Sequence, residues 1–192
     1  MVYLLNLRFK DLIGKRVVIT GEVGVGKTRL LADLIDEAAL EAGLRVVVLD
    51  LAPEVRLRSQ LIGSSVKNYS RRLLQVKYFR PKIVFAPRLQ GRNREEVLDL
   101  AAKNASSIEP LLVSLASDPP HVLFIDDLTI YLQAGKIDPL ISLISAVSTF
   151  IATAYKGKLL SDDKGSGLSR IEKSRLESFL NDPKLNILEV PL

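Results

Sequence analysis

The chain alternates short apolar runs with longer segments in which apolar residues recur every three or four positions. Arg16-Val17-Val18-Ile19-Thr20 is a β-branched run that stops at Gly21. Lys27 to Ala42 then carries Leu30, Leu31, Leu34, Ile35 and Ala38 at helical spacing, with Gly43 placed to close the helix. Arg45 to Leu49 is a second run, continuous enough to predict a strand buried on both faces of a parallel sheet. Val122 to Ile125 and Thr149 to Ala154 predict further buried strands, Asn186 to Val190 a shorter one and Lys82 to Ala86 a weaker one. Start signals between them predict helices over 94–105, 108–116, 139–147 and 170–181. Asn93 with Glu96 and Ser169 with Glu172 have capping-box spacing, and Asp138 precedes Pro139 at a first helical position. Strands alternating with helices predict an α/β fold of three layers, a mostly parallel central sheet flanked by helices.

At 192 residues the chain reads as a single domain, with an insertion at about 52–92 and a polar, mobile loop from Lys156 to Gly167. The insertion is basic. Residues 55 to 94 hold eleven Lys and Arg and no Asp or Glu, whereas the rest of the chain holds 16 basic and 22 acidic residues. The absence of Cys excludes a disulfide scaffold, a thiol nucleophile and thiolate metal sites, and a lone His121 argues against Ser-His-Asp chemistry. The N-terminus has no basic region before its apolar residues, and Leu140 to Tyr155, the longest uncharged stretch, falls short of a membrane span. The expectation is a cytoplasmic protein without a membrane partner.

Gly21-Glu22-Val23-Gly24-Val25-Gly26-Lys27-Thr28 fits the phosphate-loop pattern G-x-x-x-x-G-K-[ST], between a predicted strand and a predicted helix as that motif requires. The glycines let the backbone curl with its N–H groups inward, at the positive end of the following helix. Gly21 through Arg29 are therefore candidate nucleotide contacts, with Glu22 expected to face solvent. Lys27 brings a compact positive charge to the β- and γ-phosphates, and the Thr28 hydroxyl suits a Mg²⁺ shell. Val122-Leu123-Phe124-Ile125-Asp126-Asp127 adds a carboxylate just beyond a buried strand, where Asp126 can hold the same cation.

In this order, with Val46 to Asp50 between them and Thr149 to Ala154 after them, these motifs make about half the chain resemble the RecA/KaiC-type core of P-loop ATPases. The resemblance implies a Walker A loop at 21–28, a Walker B strand ending at Asp126, and ATP with Mg²⁺ as ligands. It also implies that the strand at 149–154 lies between those two, with Thr153 sensing the γ-phosphate. Members of that family commonly assemble, which makes a homo-oligomer a candidate and Arg88 or Arg92 a candidate finger reaching a neighbour's site.

Three carboxylates compete for the general base, ranked Asp127, Glu54 and Asp50; Asp127 can equally cap the segment after it. No Asn-Lys-x-Asp stretch is present to read guanine, which favours ATP over GTP. The reading is a nucleoside-triphosphate hydrolase that turns over slowly and couples nucleotide state to a partner. A non-hydrolysing ATP-binding regulatory module is the first alternative. A small-molecule kinase is the second, with Arg71 and Arg72, or Arg88 and Arg92, over the transferred phosphoryl. Within the basic segment 56–94, the cations of Ser64 to Lys82 interleave with Tyr69, Tyr78 and Phe79, a composition that suits nucleic acid as well as a solvated insertion.

Overall fold

A run such as Val46-Val47-Val48-Leu49 is apolar at every position because both of its faces find apolar cover. A computed structural model describes residues 7–57 and 60–192; Arg58 of the basic segment and the N-terminal residues 1–6 lie outside them. Along the chain run β1 (Arg16–Gly21), α1 (Lys27–Ala38), β2 (Val46–Asp50), β3 (Val55–Leu57), β4 (Gln60–Ile62) and β5 (Lys77–Phe79). They are followed by α2 (Pro87–Gln90), α3 (Arg94–Ser117), β6 (Val122–Asp126), α4 (Leu128–Leu132), α5 (Ile137–Ala146), β7 (Thr149–Tyr155), α6 (Leu168–Leu180) and β8 (Ile187–Pro191). Six strands form one sheet in the order β5-β2-β6-β7-β1-β8, every pair parallel, while β3 and β4 form a separate antiparallel hairpin.

Side chains alternate across this sheet with the period of two that a strand imposes. Val47, Leu49, Leu123, Ile125, Phe150 and Ala152 point to one face, where Ile108 and Leu112 of α3, Leu140 and Leu143 of α5 and Leu176 and Phe179 of α6 cover them. Val46, Val48, Val122, Phe124 and Ile151 point to the other, under Leu31, Leu34 and Ile35 of α1 and Phe9 of an N-terminal 3₁₀ turn. The result is the α/β layering expected, with helices on both faces. Among the described residues no helix is long and apolar enough to cross a membrane.

Several local expectations are corrected, beginning with α1, which ends at Ala38 with Ala39 as its cap, short of Gly43. The helices predicted over 94–105 and 108–116 are one helix, α3, which runs through Pro110. Its buried stripe continues unbroken through Val97, Ala101, Ala105, Ile108, Leu112 and Leu115, and Pro110 sits on the exposed side. The weak strand at 82–86 is absent: Phe85 is satisfied instead by the Asn104 side chain, which donates to its carbonyl and accepts from its N–H, both at 2.9 Å. The edge strand forms earlier, at β5, so the basic insertion supplies part of the sheet. The starts of α5 and α6 also move. Lys136 precedes α5, leaving Asp138 inside its first turn, and Gly167 at φ 76° precedes α6, leaving Ser169 and Glu172 inside it. Asn93 does cap α3, accepting from the Glu96 N–H at 2.9 Å, but Glu96 turns to Arg92 rather than closing a capping box.

Candidate functional site

β1 delivers the glycine loop to the carboxyl edge of the sheet. Gly24 and Gly26 take φ values of 80° and 100°, a conformation that side chains with a Cβ rarely adopt, and no side chain caps α1. The first N–H groups of α1 thus face outward at its positive end. Lys27 folds back, its Nζ donating to the Gly21 carbonyl at 2.9 Å and the Glu22 carbonyl at 2.7 Å. Burial pulls its pKa down, against the upward pull of the Asp127, Asp126 and Glu22 carboxylates.

Glu22 does not stand free in solvent. It accepts from the N–H groups of Val23 at 2.8 Å, Lys158 at 2.6 Å and Leu159 at 3.1 Å. Burial opposes its charge, but these backbone donors hold its pKa below the usual carboxylate range. The loop at 156–167 is therefore tied to the glycine loop. The close approach also explains Gly157, where an added Cβ would collide with the Glu22 carboxylate.

β7 lies between β1 and β6 and brings Thr153 against Asp126. Asp126 is buried at the end of β6. Its Oδ1 accepts from the Thr28 hydroxyl at 3.3 Å and from the Thr153 hydroxyl, whereas its Oδ2 is buried without any hydrogen-bond partner. Burial pushes the Asp126 carboxyl up to about 8, with the Asp50 and Asp127 charges adding to the rise. A buried carboxylate oxygen without a donor is costly, and coordination to a cation would offset that cost. Among the described residues no three acidic or His side chains converge into a metal-binding group. A cation at Asp126 would thus draw most of its ligands from phosphate and water, the habit of Mg²⁺ rather than Ca²⁺.

These residues line a cavity of about 210 Å³. Of the predicted contacts it gathers Val23, Gly24, Gly26, Lys27, Thr28, Arg29, Asp126 and Asp127, together with Thr153; Gly21, Glu22, Val25 and Glu54 do not line it. Asp127 caps α4, accepting from the Thr129 N–H at 3.1 Å and from the Thr129 hydroxyl. Glu54 binds Lys67 and Asn68, each at 3.1 Å. Asp50, fully buried, accepts from Arg80 at 2.7 Å, Tyr78 at 2.8 Å, the Ala52 N–H at 3.1 Å and the Ser65 hydroxyl. Asp50 therefore works as a pin that holds the insertion, and with it the Ala52, Pro53 and Tyr69 wall of the cavity, against the sheet.

On the far wall stands Arg88, a candidate from the sequence, with Glu172, Gln133 and Tyr155, which the sequence does not tie to the site. Arg88 on α2 is 8% exposed; it pairs with Glu172 of α6 at 2.9 Å, and its guanidinium carbon stands 5.2 Å from the centre of the Tyr155 ring. Gln133 donates to the same Glu172 at 2.6 Å and leaves its own Oε1 buried without a partner. Burial pushes Glu172 up to about 7 while the Arg88 charge opposes the rise. The readable signal was a Glu inside the apolar stripe Leu168, Glu172, Leu176, Phe179.

Four of the eleven cations of the basic segment pair within the chain among the described residues. Lys67 pairs with Glu54, Arg80 with Asp50, Arg88 with Glu172 and Arg92 with Glu96. Tyr78 is bonded to Asp50 and Phe79 packs on the core, so Tyr69, 40% exposed and 6.0 Å from the Arg29 guanidinium, is the open aromatic among the three. Compared with known proteins, the chain matches no family model, and no curated protein matches it in sequence.

Proposed function

We propose that this chain is a P-loop NTPase of RecA/KaiC type that binds Mg-ATP, hydrolyses it slowly and passes the change of nucleotide state to a partner. The observation that carries this reading is the buried, unpartnered Asp126 Oδ2 beside the Thr28 hydroxyl, at the mouth of a glycine loop with an uncapped helix start. The loop N–H groups and Lys27 hold the triphosphate, Lys27 exchanging two backbone carbonyls for phosphate oxygens. Thr28 and Asp126 hold Mg²⁺, which when bound neutralises charge on the β- and γ-phosphates. Asp127 lines the cavity with its capping oxygen committed to Thr129, and its carboxylate orients the attacking water.

Asp126→Asn separates metal from nucleotide. An amide is a poorer ligand for a hard cation, so the variant is expected to bind ATP more weakly than wild type when Mg²⁺ is present and equally without it. Calorimetric titrations in Mg²⁺ and in EDTA check this; identical curves in Mg²⁺ would remove Asp126 from the metal site. Asp127→Asn is expected to keep ATP affinity and lose turnover by about 10²-fold, the signature of a group that acts in the transition state. Phosphate-release assays read that loss directly.

A further inference from the structure

Arginines that assist phosphoryl transfer are often supplied by a neighbouring molecule, and such a residue is exposed until the partner arrives. Arg88 is the reverse. It is buried in its own chain and lines the same cavity as Lys27, Thr28 and Asp126. Its position follows from three contacts. Gly21, which opens the glycine loop, is the register partner of Tyr155 on adjacent parallel strands, which stand about 4.8 Å apart. The Tyr155 ring lies 5.2 Å from the guanidinium carbon, and its hydroxyl is fixed by the Leu160 N–H at 2.9 Å. Glu172 accepts from Nη2 at 3.0 Å and stands 2.9 Å from Nη1, which also donates to the Ser169 hydroxyl at 3.5 Å.

An arginine presents five N–H donors in a rigid fork, and one carboxylate occupies only part of it. Glu172 thus fixes the plane of the group and offsets its burial, leaving donors for oxygens that enter the cavity. Gln133 holds Glu172 from the other side. A side chain immobilised in this way loses little further freedom when it meets an anion, which is what a preorganised electrostatic group requires.

We infer that Arg88 is a catalytic residue acting in cis on the γ-phosphoryl group of a nucleoside triphosphate held at the glycine loop, with Glu172 as its positioning residue. The inference rests on the Mg-ATP reading of that loop. In the hydrolysis, the water oxygen bonds to the γ-phosphorus and the bond from that phosphorus to the β,γ-bridging oxygen breaks, its electron pair leaving with ADP. The water proton passes to Asp127 and then to solvent. Arg88 donates to the γ-phosphoryl oxygens, where negative charge is spread as the two bonds exchange. The site needs no arginine from a second copy.

The test uses the full chain. Removing Arg88 alone strands Glu172 in the interior, so Arg88→Met is combined with Glu172→Gln, which removes both charges and keeps an acceptor for Gln133. With folding verified by thermal melting, this double variant is expected to keep its ATP dissociation constant within a few-fold and to lose on the order of 10³ in kcat. It is also expected to fail to trap ADP with aluminium fluoride, which wild type does. Glu172→Gln alone is expected to lower kcat without raising the KM for ATP, a split that a general loosening of the fold would not produce. Wild-type specific activity is expected to be flat against protein concentration. The inference is overturned by a folded double variant with wild-type kcat, or by a wild type that binds ATP yet neither hydrolyses it nor traps the analogue. Activity restored on mixing the Arg88 variant with Lys27→Ala overturns it too, since the arginine then acts between copies. A wild type without affinity for Mg-ATP instead removes the nucleotide reading itself.

Discussion

Lys27→Ala is expected to lose at least about 3 kcal/mol of Mg-ATP affinity, roughly a hundredfold or more, while the protein still folds. The expectation follows from what the amine does before and after binding. In the structure it is half-buried and spends two of its donors on the Gly21 and Glu22 carbonyls, short-range contacts between the start of α1 and the end of β1 with the residue after it. Their loss costs about 1 kcal/mol each and leaves the carbonyls near water. Bound phosphate instead loses the one compact cation that the loop supplies, in a cavity that already contains the Asp126 and Asp127 carboxylates. Calorimetry gives the affinity and a thermal melt gives the fold. An unchanged dissociation constant would refute the assignment of the loop.

Asp50→Ala is expected to destabilise the chain by about 3 kcal/mol, a large share of the 5–15 kcal/mol that holds a typical domain together. Removing the carboxylate strands the Tyr78 and Ser65 hydroxyls and the Ala52 N–H around an empty buried position. Arg80 suffers less, because the Ala52 carbonyl at 2.7 Å and Glu54 at 3.8 Å still accept its charge. Asp50→Asn keeps one acceptor and is expected to fall between the two. Urea unfolding midpoints rank the three proteins. A shift below about 1 kcal/mol for the alanine variant would mean that the insertion is held by something other than this carboxylate.

These two residues also mark where the sequence is legible. The glycine loop, α1 and the strands β1, β2, β6 and β7 were readable because their determinants are local: apolar runs covered on both faces, and a motif whose members are adjacent in the chain. Asp126 was readable because it ends such a run. Asp50 ends a similar run, yet its function as a pin depends on Ser65, Tyr78 and Arg80, fifteen to thirty residues further on, at no periodic spacing. The acid-free window at 55–94 hides long-range pairing of four of its cations for a related reason. Glu54 and Glu96 lie just outside it and Glu172 far outside, so counting charge along the chain separated cations from the partners that space returns to them. Ser169 and Glu172 have the spacing of a capping box, but Glu172 belongs to the buried stripe of α6, and the Ser169 N–H is held by Asp163 at 3.0 Å. The break expected between 105 and 108 does not form, because the apolar stripe of α3 continues through it and past Pro110.

The arrangement at Asp126 Oδ1 amounts to a joint with two tethers. β1 and β6 share no ladder, since β7 runs between them, so Thr28 at the start of α1 and Thr153 in β7 reach the same oxygen from different sides. Were the Thr28 hydroxyl to swing away toward a ligand, Thr153 would keep the carboxylate aimed. The joint can therefore change partners on the loop side while the three strands beneath it stay in register.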